Sequence, residues 1–320
     1  MDVYIDLGNL SSYARSIGGD SVCNQMLKEN FVIKFTFAKS QIERQKKQVK
    51  SSIMALMKNL TRGRGSESNI LWSQPCPLRA SGDYSSLSKE ELMSVYMTED
   101  EELYGICQDG CLLIARVGEE VKVLKSLFID NQPIPTREYS SREMKDWSLI
   151  KDNASPCTDI IFIDPYLFIQ SDNLYEKNSY KIVEHLCEGV KNKKVNIVFF
   201  TYSKDVPYKT IERNLKLKIV PVTGVEPYIT FVKLPQREEH DRTILTNYKK
   251  FASGNSFTYF DRNEENISTG RNFYVNSLVD RRNQRQALSY ISDLQELVDK
   301  LKVGLDSITG DRKSFFLNLA

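Results

Sequence analysis

The stretch TDIIFIDPYLF, residues 158–168, says most about the fold of this chain. It is a nearly continuous apolar run that ends at Pro165. Such a run is typical of a strand buried on both faces of a sheet, because a strand with one solvent-facing side alternates instead. VNIVFFTY at 195–202 has the same character. We therefore predict two buried strands here.

The surrounding sequence supplies helices and further strands. Apolar spacing predicts helices over 178–192, 206–216 and 281–302, and strands over 228–234, over TILTNY at 243–248 and over 250–260, the last bent at Gly254. Strand–helix alternation followed by consecutive strands favours an α/β domain with a mixed sheet flanked by helices.

The first half is harder to assign. We predict strands over 3–7 and 31–38, a helix over 40–60, and an antiparallel meander over 102–129, where QDG and GEE read as tight turns. The segment 131–157 contains prolines and serines with little periodicity, so we place a domain boundary there. The expectation is a smaller α+β domain over 1–150 and an α/β domain over 151–320, so that the chain is α/β, or α+β overall.

Composition narrows the functional classes. The 320 residues carry a formal net charge of only +2, so phosphate binding would need a local patch. The six scattered cysteines and the charged residues near the start indicate a reduced, cytoplasmic protein with free thiols and no signal peptide. No apolar run is long enough for a transmembrane segment. We expect no metal site and no cofactor.

His240, Asp241 and Arg242 stand together before TILTNY. Residues two apart in a strand share a face, so His240 and Arg242 can converge on one anion. A guanidinium offers a fork of donors to phosphate oxygens, and a histidine can attack phosphorus or donate a proton. The neutral donors that follow are Asn247, Asn255 and Ser256.

This arrangement resembles the motif of the phospholipase D superfamily, in which His-x-Lys is followed by an Asp and later by a Gly-Ser-x-Asn-like segment. The resemblance covers about residues 157–305. It is nearest to single-motif members, such as the C-terminal domain of MIT-domain proteins, which binds phosphoinositide membranes, and bacterial relatives of mobile-element and defence context. Here Arg242 replaces the Lys and Asn247 replaces the Asp.

The resemblance implies a phosphate-recognition module that binds nucleic acid or another phosphorylated partner, with a degraded catalytic site, as an accessory component of a bacterial defence system. The alternative is a metal-independent phosphodiesterase, a nuclease, that acts as a homodimer because active members combine two motifs. His240 would then be the nucleophile and Arg242 would hold the phosphate oxygens. Homo-oligomers and further protein partners are expected in either case.

Other residues join the candidate site. Asp164 ends the IIFID strand at its carboxyl end, where α/β sheets bind ligands, and Asp164, Tyr166 and Asp241 form the expected pocket rim. Arg281 and Arg282 open the last helix, where the N-terminus attracts anions.

Two other interpretations stay open. Asp241 and Arg242 can form a local ion pair that fixes the loop, with His240 bound to a backbone carbonyl. Alternatively, Asp6 at the end of the first strand suggests a metal-dependent nuclease of the PIN-like kind, with Asp109 and Asp130 as possible further carboxylates.

Overall fold

The computed structural model describes residues 1–16, 21–61, 69–140, 143–168, 171–190, 193–202, 206–235, 242–267, 272–302 and 307–320. Contacts divide the chain into two compact units. The first contains Met1–Phe128 and Val279–Arg281, and the second contains Ile129–Leu278 and Arg282–Ala320. The whole is a mixed α/β structure with two sheets, as the sequence predicts.

The first unit alternates strands and helices. Its strands are β1 (Asp2–Ile5), β2 (Val32–Phe35), β3 (Ile70–Leu71), β4 (Val95–Met97) and β5 (Leu113–Ala115). Its helices are α1 (Leu7–Ser16), α2 (Ser21–Asn30), α3 (Lys39–Glu43), α4 (Lys47–Thr61), α5 (Pro77–Ser81), α6 (Lys89–Leu92), α7 (Glu101–Asp109) and α8 (Glu120–Ser126).

The sheet of the first unit is parallel, with the order β3-β2-β1-β4-β5. The chain moves outward from β1 to β2 and β3, and then returns to the other side of β1 to add β4 and β5. The direction of winding therefore reverses at β1. In sheets of this kind, the crevice beyond the carboxyl end of the reversal point is where ligands bind.

The predicted meander over 102–129 is wrong. The segment forms α7, β5 and α8, and β5 pairs in parallel with β4. Asp100 caps α7 by accepting hydrogen bonds from the backbone N–H groups of Glu102 and Leu103. Helical spacing then buries Leu103 and Cys107 on one face. This cap and this apolar pair outweigh the turn signals that suggested a hairpin.

The second unit contains an eight-stranded mixed sheet. Its strands are β6 (Thr136–Ser140), β7 (Asp159–Ile163), β8 (Asn196–Tyr202), β9 (Tyr228–Leu234), β10 (Arg242–Leu245), β11 (Lys249–Ser253), β12 (Asn272–Ser277) and β13 (Ile308–Gly310). Its helices are α9 (Ser148–Asp152), a 3₁₀ helix (Ser171–Glu176), α10 (Ser179–Cys187), α11 (Tyr208–Thr223) and α12 (Arg281–Leu301), whose first residue groups with the first unit.

The order of this sheet is β13-β9-β8-β7-β10-β11-β12-β6. β7, β8 and β9 run parallel, whereas β10 lies antiparallel to β7. Every residue of β7 is buried, as its apolar sequence predicts. The rings of Phe162, Phe199 and Phe231 stack across the three parallel strands with centroids 4.9 and 5.4 Å apart. The apolar run at 158–163 thus forms the centre of the sheet.

The division between the units falls between Phe128 and Ile129, earlier than the 150/151 boundary that composition suggests. The reason is β6, which pairs with β12 in the second sheet. None of the six cysteines, all of which lie in the described ranges, forms a disulfide. None of the helices within the described ranges combines the length and apolarity needed to cross a bilayer.

Candidate functional site

The carboxyl end of β7 brings together several of the predicted site residues. The antiparallel register pairs Thr243 with Ile163, which sets Arg242 beside the residue that follows β7, Asp164. Arg242 is half-buried, and its guanidinium carbon lies 5.2 Å from the centre of the Tyr166 ring. A guanidinium over an aromatic face is attracted to the ring electrons. Arg242 and Tyr166 thus share this edge of the sheet.

Asp164 holds the backbone around this edge. Its side chain is fully buried and accepts hydrogen bonds from Ser256 Oγ at 2.6 Å, the Phe257 backbone N–H at 2.8 Å and the Tyr166 backbone N–H at 3.0 Å. Burial raises the pKa of Asp164, against the opposing effects of these hydrogen bonds and of the Arg242 charge. Asp164 therefore ties the segment after β11 to the segment after β7.

Ser256, a predicted phosphate donor, lies in this group, where its hydroxyl donates to Asp164. The neighbouring Asn255 is half-buried, and its backbone N–H donates to Ser253 Oγ at 3.2 Å. β11 ends at Ser253, so the predicted strand over 250–260 stops before Gly254 and the chain turns there. His240 and Asp241 lie outside the described residues.

Asn247 lies at the opposite end of β10 from Arg242. It is fully buried, and its Oδ1 accepts hydrogen bonds from the backbone N–H of Thr158 at 2.9 Å and of Asp159 at 3.4 Å. These partners stand at the beginning of β7, whereas Arg242 stands near its end. The structure therefore does not bring Asn247 together with Arg242, and the amide fixes the β10–β11 turn to the start of β7.

The two arginines that open α12 have different surroundings. Arg281 groups with the first unit, where its guanidinium donates to Asn69 Oδ1 at 3.0 Å. Arg282 groups with the second unit and is exposed.

A second polar cluster lies in the first unit, at the carboxyl end of β1. Asp6 caps α1 by accepting a hydrogen bond from the Asn9 backbone N–H at 2.7 Å, and it also accepts one from Thr98 Oγ1. Asn9 Nδ2 donates to Glu99 Oε1 at 3.0 Å. Asn9 thus links two carboxylates, one following β1 and one following β4. This is the reversal point of the parallel sheet.

Glu120, at the start of α8 after β5, was not singled out from the sequence because GEE suggested a turn. It is fully buried, and its Oε2 accepts a hydrogen bond from the Gly118 backbone N–H at 2.7 Å. Its Oε1 has no hydrogen-bond partner among the described residues. Burial raises the pKa of Glu120, and the charges of Glu99 and Glu119 add to this.

The other carboxylates suggested for this site lie elsewhere. Asp109 ends α7, which runs away from the carboxyl edge, and Asp130 belongs to the second unit, where it pairs with Arg137. Over the described ranges, no group of three or more His, Cys, Asp or Glu side chains is arranged to hold a metal ion.

Comparison with models of protein families, and with curated proteins, gives no match to this chain.

Proposed function

We propose that the second unit is a phosphate-recognition module, which binds nucleic acid or another phosphorylated partner through Arg242. The observation that carries this proposal is the position of Arg242. It is the first residue of β10, it is half-buried, and its guanidinium lies over the Tyr166 ring. A guanidinium held in this way keeps its fork of donors in a limited set of orientations, which favours bidentate contact with phosphate oxygens.

Asp164 supports the same function. Its hydrogen bonds to Ser256 and Phe257 fix the segment after β11 next to Arg242. His240 is two residues before Arg242, a spacing that would add an imidazole on the same side of an extended chain.

The test is binding of single-stranded DNA and RNA by wild type, Arg242→Gln and Arg213→Gln. Arg213 is an exposed residue of α11 and provides a matched loss of charge in the same unit. The proposal expects weaker binding for Arg242→Gln alone. If both variants lost affinity equally, binding would depend on general charge attraction and not on a site at Arg242.

Hydrolysis is measured in parallel, in EDTA, on DNA, RNA and a model phosphodiester. Turnover that disappears in His240→Ala would establish the metal-independent phosphodiesterase and would call for a homodimer, which light scattering can detect. Binding without turnover supports the recognition module.

A metal-dependent nuclease in the first unit is the second candidate. It is favoured by the carboxylates of Asp6 and Glu99 at the reversal point, and by the buried Glu120 oxygen that has no described partner. These residues do not form a closed cage. Mg²⁺, however, is commonly held by one or two carboxylates with water and substrate phosphate, and Asp6 and Glu99 would supply these carboxylates. Bound Mg²⁺ would polarise the phosphodiester there.

The two candidates separate cleanly. Nuclease activity that needs Mg²⁺, is lost in Asp6→Asn and persists in His240→Ala would assign the reaction to the first unit. Asp6→Asn retains an oxygen that can cap α1, so the fold should survive. Calorimetry with Mn²⁺ then reports metal binding independently of cleavage.

We also propose a cytoplasmic location, supported by six cysteines that form no disulfide in the described structure. A role as an accessory defence component, in a homo-oligomer or with protein partners, rests on the sequence resemblance.

A further inference from the structure

An open groove in the first unit is formed by α3, α4 and the edge strand β3. It has a volume of about 290 Å³. Its apolar lining comes from Ile42, Met54, Met57, Ile70 and Trp72, and its polar lining comes from Lys39, Glu43, Lys58 and Thr61. This volume is close to the lower end of the range for small-ligand pockets, about 300 Å³.

Trp72 is held in place from behind. Its ring lies 4.6 Å from that of Phe35 and 5.8 Å, edge-on, from that of Phe37. Because these contacts fix the indole, a ligand that packs against it loses little side-chain freedom on binding. The ring is half-buried and lines the groove. It is therefore suited to stacking against a planar group.

Two methionines complete the apolar surface. Met54 is 48% exposed, one of the most exposed large apolar side chains in the described part of the chain, and Met57 lies one turn further along α4. Methionine is flexible and polarisable, and it is common on surfaces that adapt to aromatic ligands. Leaving such a side chain in water next to a fixed tryptophan is consistent with a binding surface.

The charges at the groove are positive. Lys39 and Lys58 are exposed lining residues, and neither forms an ion pair with a described residue. The acidic lining residue, Glu43, is already neutralised by Lys50. The groove thus presents a planar apolar surface beside two cations that pair with no acidic group in the described part of the chain, and its occupant should combine a flat ring with anionic groups.

We propose that this groove binds a base and the flanking phosphates of single-stranded nucleic acid. Base stacking on an aromatic side chain beside a basic track is how such strands are held without sequence preference. A duplex hides its base faces, so it would use only the lysines. The inference rests on the proposed function in taking nucleic acid as the ligand, but its residues all belong to the first unit and are independent of Arg242.

The first experiment follows tryptophan fluorescence while oligothymidylate is added to the full chain. The chain has two tryptophans, and Trp147 is buried in the second unit. We expect quenching that saturates in wild type and is largely lost in Trp72→Phe, which keeps an aromatic ring against Phe35. Equal quenching in Trp72→Phe would overturn the proposal.

The second experiment measures affinity for the same strand. Met54→Gln should weaken binding about threefold to tenfold through lost base contact. Lys39→Gln with Lys58→Gln should lower the slope of log affinity against log salt by about 1.4, since each phosphate on a single strand contributes about 0.7. The matched controls are Val22→Gln, 46% exposed on α2, and Lys122→Gln with Lys125→Gln on α8.

The proposal would be overturned if the control variants weakened binding as much as the groove variants do. It would also be overturned if a duplex or inorganic polyphosphate bound as tightly as the single strand. Thermal unfolding of each variant shows whether the fold is retained. Arg242→Gln is included because it separates the two sites. If Arg242→Gln loses affinity and the groove variants bind normally, the groove proposal is wrong and the second-unit proposal stands. If the groove variants lose affinity and Arg242→Gln binds normally, the second-unit proposal is wrong and the groove proposal stands.

Discussion

The guanidinium carbon of Arg242 lies 5.2 Å from the centre of the Tyr166 ring, across the ends of two antiparallel strands. Tyr166 therefore orients the cation that we assign to phosphate. Replacing Tyr166 with Leu should weaken oligonucleotide binding by about twofold to fivefold, in line with a cation–π contribution of about 0.5–1 kcal/mol. Affinity titration checks this. Tyr228→Leu, which removes a similar contact with Lys194, should leave affinity unchanged.

Ser256 stabilises the same edge from the other side. Its Oγ donates to the buried Asp164 carboxylate at 2.6 Å. Ser256→Ala should lower the free energy of unfolding of the second unit by about 1–3 kcal/mol, because a buried acceptor loses a donor. Urea unfolding followed by the fluorescence of Trp147, in a Trp72→Phe background, reports on this unit. Ser292→Ala, on α12 where Oγ contacts only Leu288 O in the described structure, should change it by less than about 0.5 kcal/mol.

Asn247 gives a sharp contrast between a stabilising and a binding role. Its Oδ1 accepts hydrogen bonds from the Thr158 and Asp159 backbone N–H groups inside the core. Asn247→Ala should cost about 2 kcal/mol of stability, since buried N–H groups lose their acceptor. Phosphate affinity, measured where the variant is fully folded, should match wild type. A specific loss of affinity without a loss of stability would instead place Asn247 in the ligand site.

Lys249 should make the stability of the second unit depend on pH. It is 1% exposed on β11, and burial lowers its pKa to about 7, although Asp130 acts in the opposite direction. Above this value the folded chain has released a proton that the unfolded chain keeps up to about pH 10. Stability should therefore rise with pH by about 1 kcal/mol per unit between about pH 7 and 9, and level off below 7.

Lys249→Met removes the titrating group and should flatten this rise. Urea unfolding at several pH values, read from Trp147, compares the two proteins. A wild-type slope that Lys249→Met leaves unchanged would assign the effect to other groups.

The central strands could be predicted because their apolar runs can be recognised in the sequence without knowledge of the tertiary contacts. VNIVFFTY and YITFVKL form β8 and β9 almost to the residue. The strand β12 was missed because NFYVNS is short and mixes polar with apolar residues. This strand is stabilised by pairing with β6, which is distant in sequence, and local β-propensity does not reveal such a pairing.

The candidate sites show the same division. Strand ends can be located from the sequence. This is why residues at the ends of neighbouring strands could be assigned to one site: Asp164, Tyr166, Arg242 and Ser256. Asn247 does not join them, because the length of β10 separates it from Arg242. It therefore lies near the start of β7, whereas Arg242 lies near the end. Glu120 could not be found because its burial depends on the parallel pairing of β4 and β5, and 102–129 suggests turns.

The central claim is that Arg242 binds phosphate. The most direct measurement is calorimetric titration with a nuclease-resistant single-stranded oligonucleotide in EDTA, comparing wild type, Arg242→Gln and Arg213→Gln. Loss of a charge-assisted hydrogen bond should weaken binding by Arg242→Gln about tenfold or more, with Arg213→Gln within about twofold of wild type. An Arg242→Gln protein that is folded and binds as tightly as wild type would contradict the account.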